Sequence, residues 1–103
     1  MIIVKVSYTV TPEFVQKNKE NIDQFMIDFR KINSKDFKYD VYLADDGRTF
    51  VHLSHFKNAD IQKQILAVPS FLEFQKQRDE SGLNNTHKVD MLNIVAASSA
   101  ILS

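Results

Sequence analysis

The side chains best suited to chemistry lie on one short stretch, residues 49–56 (TFVHLSHF). Alternate residues of a strand point to the same side, so His52 and Ser54 share a face with Phe50 and Phe56. If that face looks at the helices, we predict that His52 acts as a catalytic base toward a phenol and that Ser54 orients the substrate. The alternative is a half-buried histidine that bonds only to a neighbouring strand or helix end.

Aromatic side chains in other segments are candidates for the walls of a pocket. We predict that Tyr8, Phe71 and Phe74 join Phe56 in binding an aromatic substrate, with the Tyr8 hydroxyl as a second positioning group. The alternative is plain core packing, which phenylalanines at helical spacing usually indicate.

A metal site is not expected, although the chain has three histidines. On a strand, His52 and His55 would point to opposite faces and lie about 10 Å apart along the axis, so they cannot hold one ion with His87 as a third ligand. The absence of cysteine excludes a disulfide framework, a thiolate zinc site and a cysteine nucleophile. With two glycines, the chain has no phosphate-binding loop or dinucleotide motif, and we predict no cofactor.

Composition argues against nucleic acid and membranes as partners. The 103 residues, which predict one domain over 1–103, carry 13 basic and 13 acidic side chains and so have no net charge. Residues 47–51 resemble an RNA-recognition motif faintly, but Arg48 and Leu53 replace the aromatic side chains that would stack on bases. No apolar run reaches the roughly 18 residues that span a bilayer, and residues 1–10 do not read as a secretion signal. We expect a cytoplasmic protein.

The elements that must position these residues follow from periodicity. Residues 2–10 and 37–45 alternate as strands, and Asp46-Gly47 predicts a hairpin into the strand 49–56. A further strand is predicted over 87–97. The apolar residues predicted to share a strand face are Ile2, Val4, Val6, Tyr8 and Val10 in the first segment, and Phe37, Tyr39, Val41 and Leu43 in the second.

Two helices lie between these strands. Thr11 is predicted to cap the first helix, with Pro12 at its first position. Asn58 is predicted to cap the second, which Pro69 should break or kink before Ser81-Gly82 ends it. The predicted apolar stripes comprise Val15, Ile22, Phe25, Met26, Phe29 and Ile32 in the first helix, and Ile61, Ile65, Leu66, Val68, Phe71, Leu72 and Phe74 in the second.

This order predicts an α+β protein, a ferredoxin-like βαββαβ sandwich with two helices on one face of an antiparallel sheet. The last strand is apolar on both faces, with Val89 and Met91 on one and Leu92 and Ile94 on the other. Two helices cover only one sheet face, so we predict a homodimer through the other. The alternative is that the C-terminal segment 96–102 covers it.

The chain resembles the dimeric α+β barrel superfamily, and most closely the antibiotic biosynthesis monooxygenases. The resemblance covers residues 2–96 and rests on the element order and on three local features. These are Thr11-Pro12 between the first strand and a long helix, Phe56-Lys57-Asn58-Ala59 after the hairpin, and Leu66-Ala67-Val68-Pro69-Ser70-Phe71, which is similar to a Leu-x-x-Pro-His-Phe stretch.

The resemblance implies paired sheets, a small hydrophobic pocket between each sheet and its helices, and in several members cofactor-independent oxidation of phenols or quinols. The chain departs from it at Ser54, where a Glu is common, and at Ile65 and Ser70, where His is common. The haem-degrading branch needs an Asn, a Trp and a His, where this chain has Val6, Ile65 and Gln75, respectively.

Two functions are therefore predicted. The first is a cofactor-independent monooxygenase of small aromatic or quinol-type compounds, in which the deprotonated substrate reacts with O2. The second is a non-catalytic homodimer that binds a small apolar ligand or serves as an interaction module. An open cavity with polar groups favours the first, and a dry, filled interface favours the second.

Overall fold

The computed structural model describes residues 1–102 and contains four strands and three helices. The strands are β1 (Ile2–Thr9), β2 (Phe37–Leu43), β3 (Thr49–Phe56) and β4 (Lys88–Leu92). The helices are α1 (Val15–Phe29), α2 (Ala59–Leu66) and α3 (Pro69–Glu80), and a 3₁₀ turn (Pro12–Phe14) precedes α1. This order confirms the predicted ferredoxin-like α+β fold.

The strands form one antiparallel sheet in the order β2-β3-β1-β4, so β3 and β1 are central. In the register, Val6 lies opposite His52 of β3 and Val89 of β4, and His52 lies opposite Val41 of β2. These residues therefore share the face that the helices cover. The predicted alternation is confirmed for β1, and for β2 except at its last residue, Leu43, which is 38% exposed.

Aromatic side chains fill the space between sheet and helices. The Phe25 ring of α1 lies 5.0 Å from that of Phe74 and 5.1 Å from that of Phe71. Phe25, Phe74, Phe50 and Phe56 are at most 2% exposed. Burying a large apolar side chain contributes about 1.5–3 kcal/mol, so this cluster fixes α1 and α3 on the sheet.

The helix ends agree in part with prediction. The Asn58 side chain accepts a hydrogen bond from the Ile61 amide (2.9 Å), as expected of a cap. Pro69 separates α2 from α3 because it cannot continue a helix from Val68, whose backbone is extended. Thr11 has the extended backbone of a cap, but its side chain makes no cap hydrogen bond. The predicted stripe is wrong at Leu72, which is 49% exposed, since the buried positions of α3 are Phe71, Phe74 and Arg78.

The strand predicted over 87–97 is too long. Leu92 pairs with Ile3, and β1 begins at Ile2, so a longer β4 would have no strand to bond. Ile94 and Val95 are therefore outside the sheet and are 50% and 99% exposed. Within residues 1–102, none of the helices has both the length and the apolar character needed to cross a bilayer.

Candidate functional site

The site is centred on His52, whose side chain is 2% exposed and lies between the sheet and the helices. The register places it in the middle of a central strand. Its ring lies 5.3 Å from that of Phe74 and 6.4 Å from that of Phe25, centroid to centroid. The imidazole is thus embedded in the aromatic core, on the helix-facing side of the sheet, which is the condition that the sequence left open.

Both ring nitrogens of His52 bond to tyrosine hydroxyls. Nε2 lies 2.7 Å from the Tyr8 oxygen, and Nδ1 lies 2.8 Å from the Tyr39 oxygen. The Asn18 amide of α1 donates a third hydrogen bond to the Tyr8 oxygen at 3.0 Å. The result is a hydrogen-bonded chain, Asn18–Tyr8–His52–Tyr39, that crosses from helix to sheet.

The number of donors and acceptors determines which atom donates in each hydrogen bond of Asn18–Tyr8–His52–Tyr39. The Tyr8 oxygen accepts from Asn18, so its own hydrogen needs an acceptor, and His52 Nε2 is the one within reach in the described part of the chain. Nδ1 of His52 then carries the ring proton and donates it to the Tyr39 oxygen. The hydrogen of the Tyr39 hydroxyl is left without an acceptor among residues 1–102. The hydrogen-bonded chain is satisfied at Tyr8 and His52, and within the described residues it has an unmet acceptor at the buried Asn18 Oδ1 and an unmet donor at Tyr39.

The surroundings keep all three of these side chains uncharged at neutral pH. Burial raises the pKa of Tyr8 and of Tyr39 well above the ordinary value of a phenol, although the nearby Arg78 charge opposes the rise. Burial, and secondly the Arg78 charge, lower the pKa of His52 to about 3. His52 is therefore a neutral hydrogen-bonding group and a weak base.

A cavity of about 280 Å³ adjoins the hydrogen-bonded chain at its Tyr39 end. Its polar lining comprises Tyr39, His52, Ser54, Gln62, Gln75, Arg78 and His87. Its apolar lining comprises Val4, Val6, Phe56, Leu66, Phe71, Val89 and Met91. A larger hollow of about 500 Å³ lies along the edge strand β2, but it is more open to solvent and does not include His52. Because apolar walls and a few convergent polar groups typify ligand sites, the smaller cavity is the candidate site.

Arg78 is the charged residue of this cavity and is only 7% exposed. Its guanidinium carbon lies 5.4 Å from the Tyr8 ring centroid and 5.5 Å from that of Phe74. Its Nε donates to an Asp79 carboxylate oxygen at 3.0 Å, and the Asp79 side chain is 61% exposed. The two rings hold the cation against the core by cation–π attraction.

The structure brings four of the six predicted site residues to the cavity wall, namely His52, Ser54, Phe56 and Phe71. The Ser54 hydroxyl donates to the Val4 carbonyl oxygen at 3.3 Å. The other two, Tyr8 and Phe74, do not line the cavity. They are 0% and 1% exposed and lie behind His52, so the predicted direct contact with a ligand is corrected to support from within the core.

Two residues of the cavity wall, Tyr39 and Arg78, are not among the predicted site residues. The signal for Tyr39 is its position on the predicted apolar face of β2. Asp40 of β2 does not orient His52, because it pairs with Leu53 and faces the other side of the sheet. The signal for Arg78 is its spacing, since it lies seven residues after Phe71 and four after Phe74, on the same side of the helix, among the polar residues 76–80 (KQRDE).

His52 and His55 lie on opposite faces of β3, since residues three apart on a strand alternate. His55 is 9% exposed on the outer face, and its Nδ1 has no hydrogen-bond partner within the described residues. Among residues 1–102, no group of three or more His, Cys, Asp or Glu side chains is arranged to hold a metal ion.

This architecture is that of the ferredoxin-like α+β proteins. Several solved structures share its fold over nearly the whole chain. The crystal structure of an antibiotic biosynthesis monooxygenase matches at a TM-score of 0.78 and 13% identity, over 93% of this chain and 100% of the other. Rv0793 from Mycobacterium tuberculosis matches at 0.77 and 18% identity, over 95% and 98%.

A variant of SnoaB from Streptomyces nogalater, described as a cofactor-independent oxygenase, matches at a TM-score of 0.72 and 13% identity, over 96% of this chain and 97% of the other. No protein-family model matches the sequence, and no curated protein matches it. The resemblance to the antibiotic biosynthesis monooxygenases is thus confirmed at the level of fold.

Proposed function

We propose that the protein is a cofactor-independent oxygenase of small aromatic, quinol-type compounds, which it binds in the cavity beside Tyr39 and His52. The observation that carries the proposal is the open end of the hydrogen-bonded chain at an apolar cavity. The fold it shares with a protein described as a cofactor-independent oxygenase supports the same reading.

The chemistry that this cavity favours is stabilisation of an oxyanion. A phenol that loses its proton to solvent becomes a phenolate whose ring carbons are electron-rich. The Tyr39 hydroxyl, with its hydrogen free, and the Arg78 cation would both stabilise that negative oxygen. Fixed donors in a largely apolar site stabilise developing charge more strongly than water does.

The reaction balances without a metal or flavin. The ring carbanion gives its electrons to O2 and forms a carbon–oxygen bond, which yields a peroxide. The O–O bond then breaks, one oxygen atom stays as a ketone, and the other leaves as water with the two hydrogens that the oxidised carbon and its phenol supplied. The substrate is oxidised by four electrons, and O2 is reduced by four.

The proposed role of His52 changes accordingly. Both of its nitrogens are occupied, and its pKa of about 3 makes it a poor acceptor for a substrate proton. We assign it the positioning of the Tyr39 hydroxyl, rather than the base function that the sequence suggested. Ser54, Phe56 and Phe71 would then form the wall around the ring of the substrate.

The test measures oxygen consumption by the protein with a panel of naphthohydroquinones and anthrones as substrates, in buffer that contains a chelator. We expect uptake above auto-oxidation in the wild type, one atom of ¹⁸O from ¹⁸O2 in the ketone, and a large loss of rate in Tyr39→Phe. Leu72→Gln, on the exposed side of α3, is the control that should retain the rate. Rates equal to those without protein would refute the oxygenase.

The second candidate is a non-catalytic homodimer that binds a small apolar ligand. It is favoured by Ser54, Ile65 and Ser70, which stand where related proteins often have Glu or His. Ser54 bonds to a backbone carbonyl and Ile65 is 0% exposed, so neither position supplies acid–base chemistry. Binding of quinols without oxygen uptake would decide for this function.

A further inference from the structure

The charged side chains that line the cavity indicate which kind of ligand it binds. Among the described residues that line it, Arg78 is the one with a permanent charge, and no carboxylate is present. Apolar residues make up half of the wall. A cavity of this kind attracts an apolar molecule with a negative group and disfavours a cationic one.

The hydrogen-bond donors of Arg78 are incompletely used. Asp79 accepts from Nε, and within residues 1–102 the two terminal nitrogens have no hydrogen-bond acceptor. Neither of them belongs to the fully buried polar atoms that lack a partner, so they reach accessible space. The side chain is only 9% exposed and lines the cavity, so the cavity is where its terminal nitrogens can meet an acceptor.

The carboxylate of Asp79 does not remove the need for an anion. It binds the inner nitrogen from the neighbouring position on α3, and its side chain is largely in solvent, where a single ion pair is worth little. The terminal fork of a guanidinium matches the two oxygens of a carboxylate. The Tyr39 hydroxyl, which needs an acceptor, lines the same cavity.

We propose that the cavity recognises its ligand as an aromatic carboxylate, with the acid group held by the terminal nitrogens of Arg78, while the Tyr39 hydroxyl donates to the phenolate oxygen of the same ligand. The ring occupies the apolar wall formed by residues such as Val6, Phe71 and Met91. This inference rests on the proposed function for its choice of site, and it narrows the substrate class to aromatic or quinol compounds that carry a carboxylate.

The experiment compares two probes of the same shape, 2-naphthoate and its neutral analogue 2-naphthamide, by isothermal titration calorimetry near neutral pH. We expect the wild type to bind the carboxylate about tenfold more tightly than the amide. Arg78→Met keeps the length of the side chain and removes the charge, and it should abolish this preference. Arg30→Met, at an exposed arginine outside the cavity, should preserve it.

Arg78→Lys keeps the charge and loses the fork, so it should retain part of the preference even if Arg78→Met fails to fold. Equal affinities for the two probes in the wild type, or a preference that survives Arg78→Met, would overturn the inference.

Oxygen uptake separates this inference from the proposed function. Binding of 2-naphthoate by a protein that consumes no oxygen with hydroxynaphthoates would refute the oxygenase and retain the anion site. Oxygen uptake with neutral quinols, together with equal affinity for the two probes, would support the oxygenase and refute the anion site. Failure of both probes to bind would overturn the anion site, and the uptake assay would then decide the oxygenase independently.

Discussion

Burial of neutral His52 predicts that acid destabilises this protein before its carboxylates are protonated. The pKa of His52 is lowered from 6.5 to about 3 in the folded chain, first by burial and then by the Arg78 charge. Because the folded state disfavours the proton, the contribution of His52 to stability is fully present above pH 6.5. It is lost as the pH falls from 6.5 toward 3, since the unfolded chain binds a proton that the folded chain does not.

The size of this loss follows from the difference in pKa. Each pH unit inside the window costs about 1.4 kcal/mol, so acidification from pH 7 to pH 5 should lower the free energy of unfolding by about 2 kcal/mol through His52 alone. Stopping at pH 5 leaves most carboxylates ionised and keeps their contribution small.

The assay is urea denaturation followed by far-ultraviolet circular dichroism at pH 7 and pH 5. One fixed protein concentration removes any effect of association. His52→Gln keeps a polar side chain and removes the titration, so it should lose about 2 kcal/mol less than the wild type between the two pH values. His55→Gln is the matched control. Its histidine is also held at a lowered pKa by burial, but it lies on the outer face and should leave the His52 contribution in place. Equal losses in the wild type and His52→Gln would refute the view that His52 is held neutral in the core.

Three further predictions concern single side chains. Tyr39→Phe should lower the free energy of unfolding by about 1–3 kcal/mol in urea titrations, because it leaves the Nδ1 hydrogen of His52 buried without an acceptor, and Tyr42→Phe on the exposed face should be nearly neutral. Phe25→Ala should cost about 3–5 kcal/mol, since its ring contacts aromatic rings from the sheet and from α3; a cost below about 1 kcal/mol would contradict the packing. Leu53→Glu, on the outer sheet face, should turn the expected homodimer into a monomer in sedimentation equilibrium, and a monomeric wild type would refute the dimer itself.

The strands and helices were predictable because each has a strong local signal. Alternation in β1 and β2 identified the buried face, and Pro69 identified the break between α2 and α3. The length of β4 was not predictable in the same way. Residues 93–97 are as apolar as a strand requires, but their pairing depends on where β1 begins, which is a property of the register.

The site was predictable as far as the face of one strand. His52 and Ser54 follow from the period of β3 once its apolar face is known. The bond from His52 to Tyr39 requires the register of β2 against β3, and the bond from Asn18 to Tyr8 requires the position of α1 on the sheet. Arg78 continues the helical spacing of Phe71 and Phe74 on the buried side of α3, so its burial has a periodic signal. Its contact with the Tyr8 ring of β1 has none, because that contact depends on how α3 lies on the sheet.

The asymmetry of the hydrogen-bonded chain connects the core to the function. A core that served packing alone would avoid a histidine between two tyrosines, since each buried polar atom needs a partner. Here every polar hydrogen of Tyr8 and His52 has an acceptor, and the hydrogen without one belongs to Tyr39, which lines the cavity together with Arg78. The Tyr39 hydroxyl and the Arg78 guanidinium both require a negatively polarised oxygen as acceptor. An oxygenase and a passive binder would present the same geometry to such a ligand, so oxygen consumption, rather than binding, is the property that distinguishes the two functions.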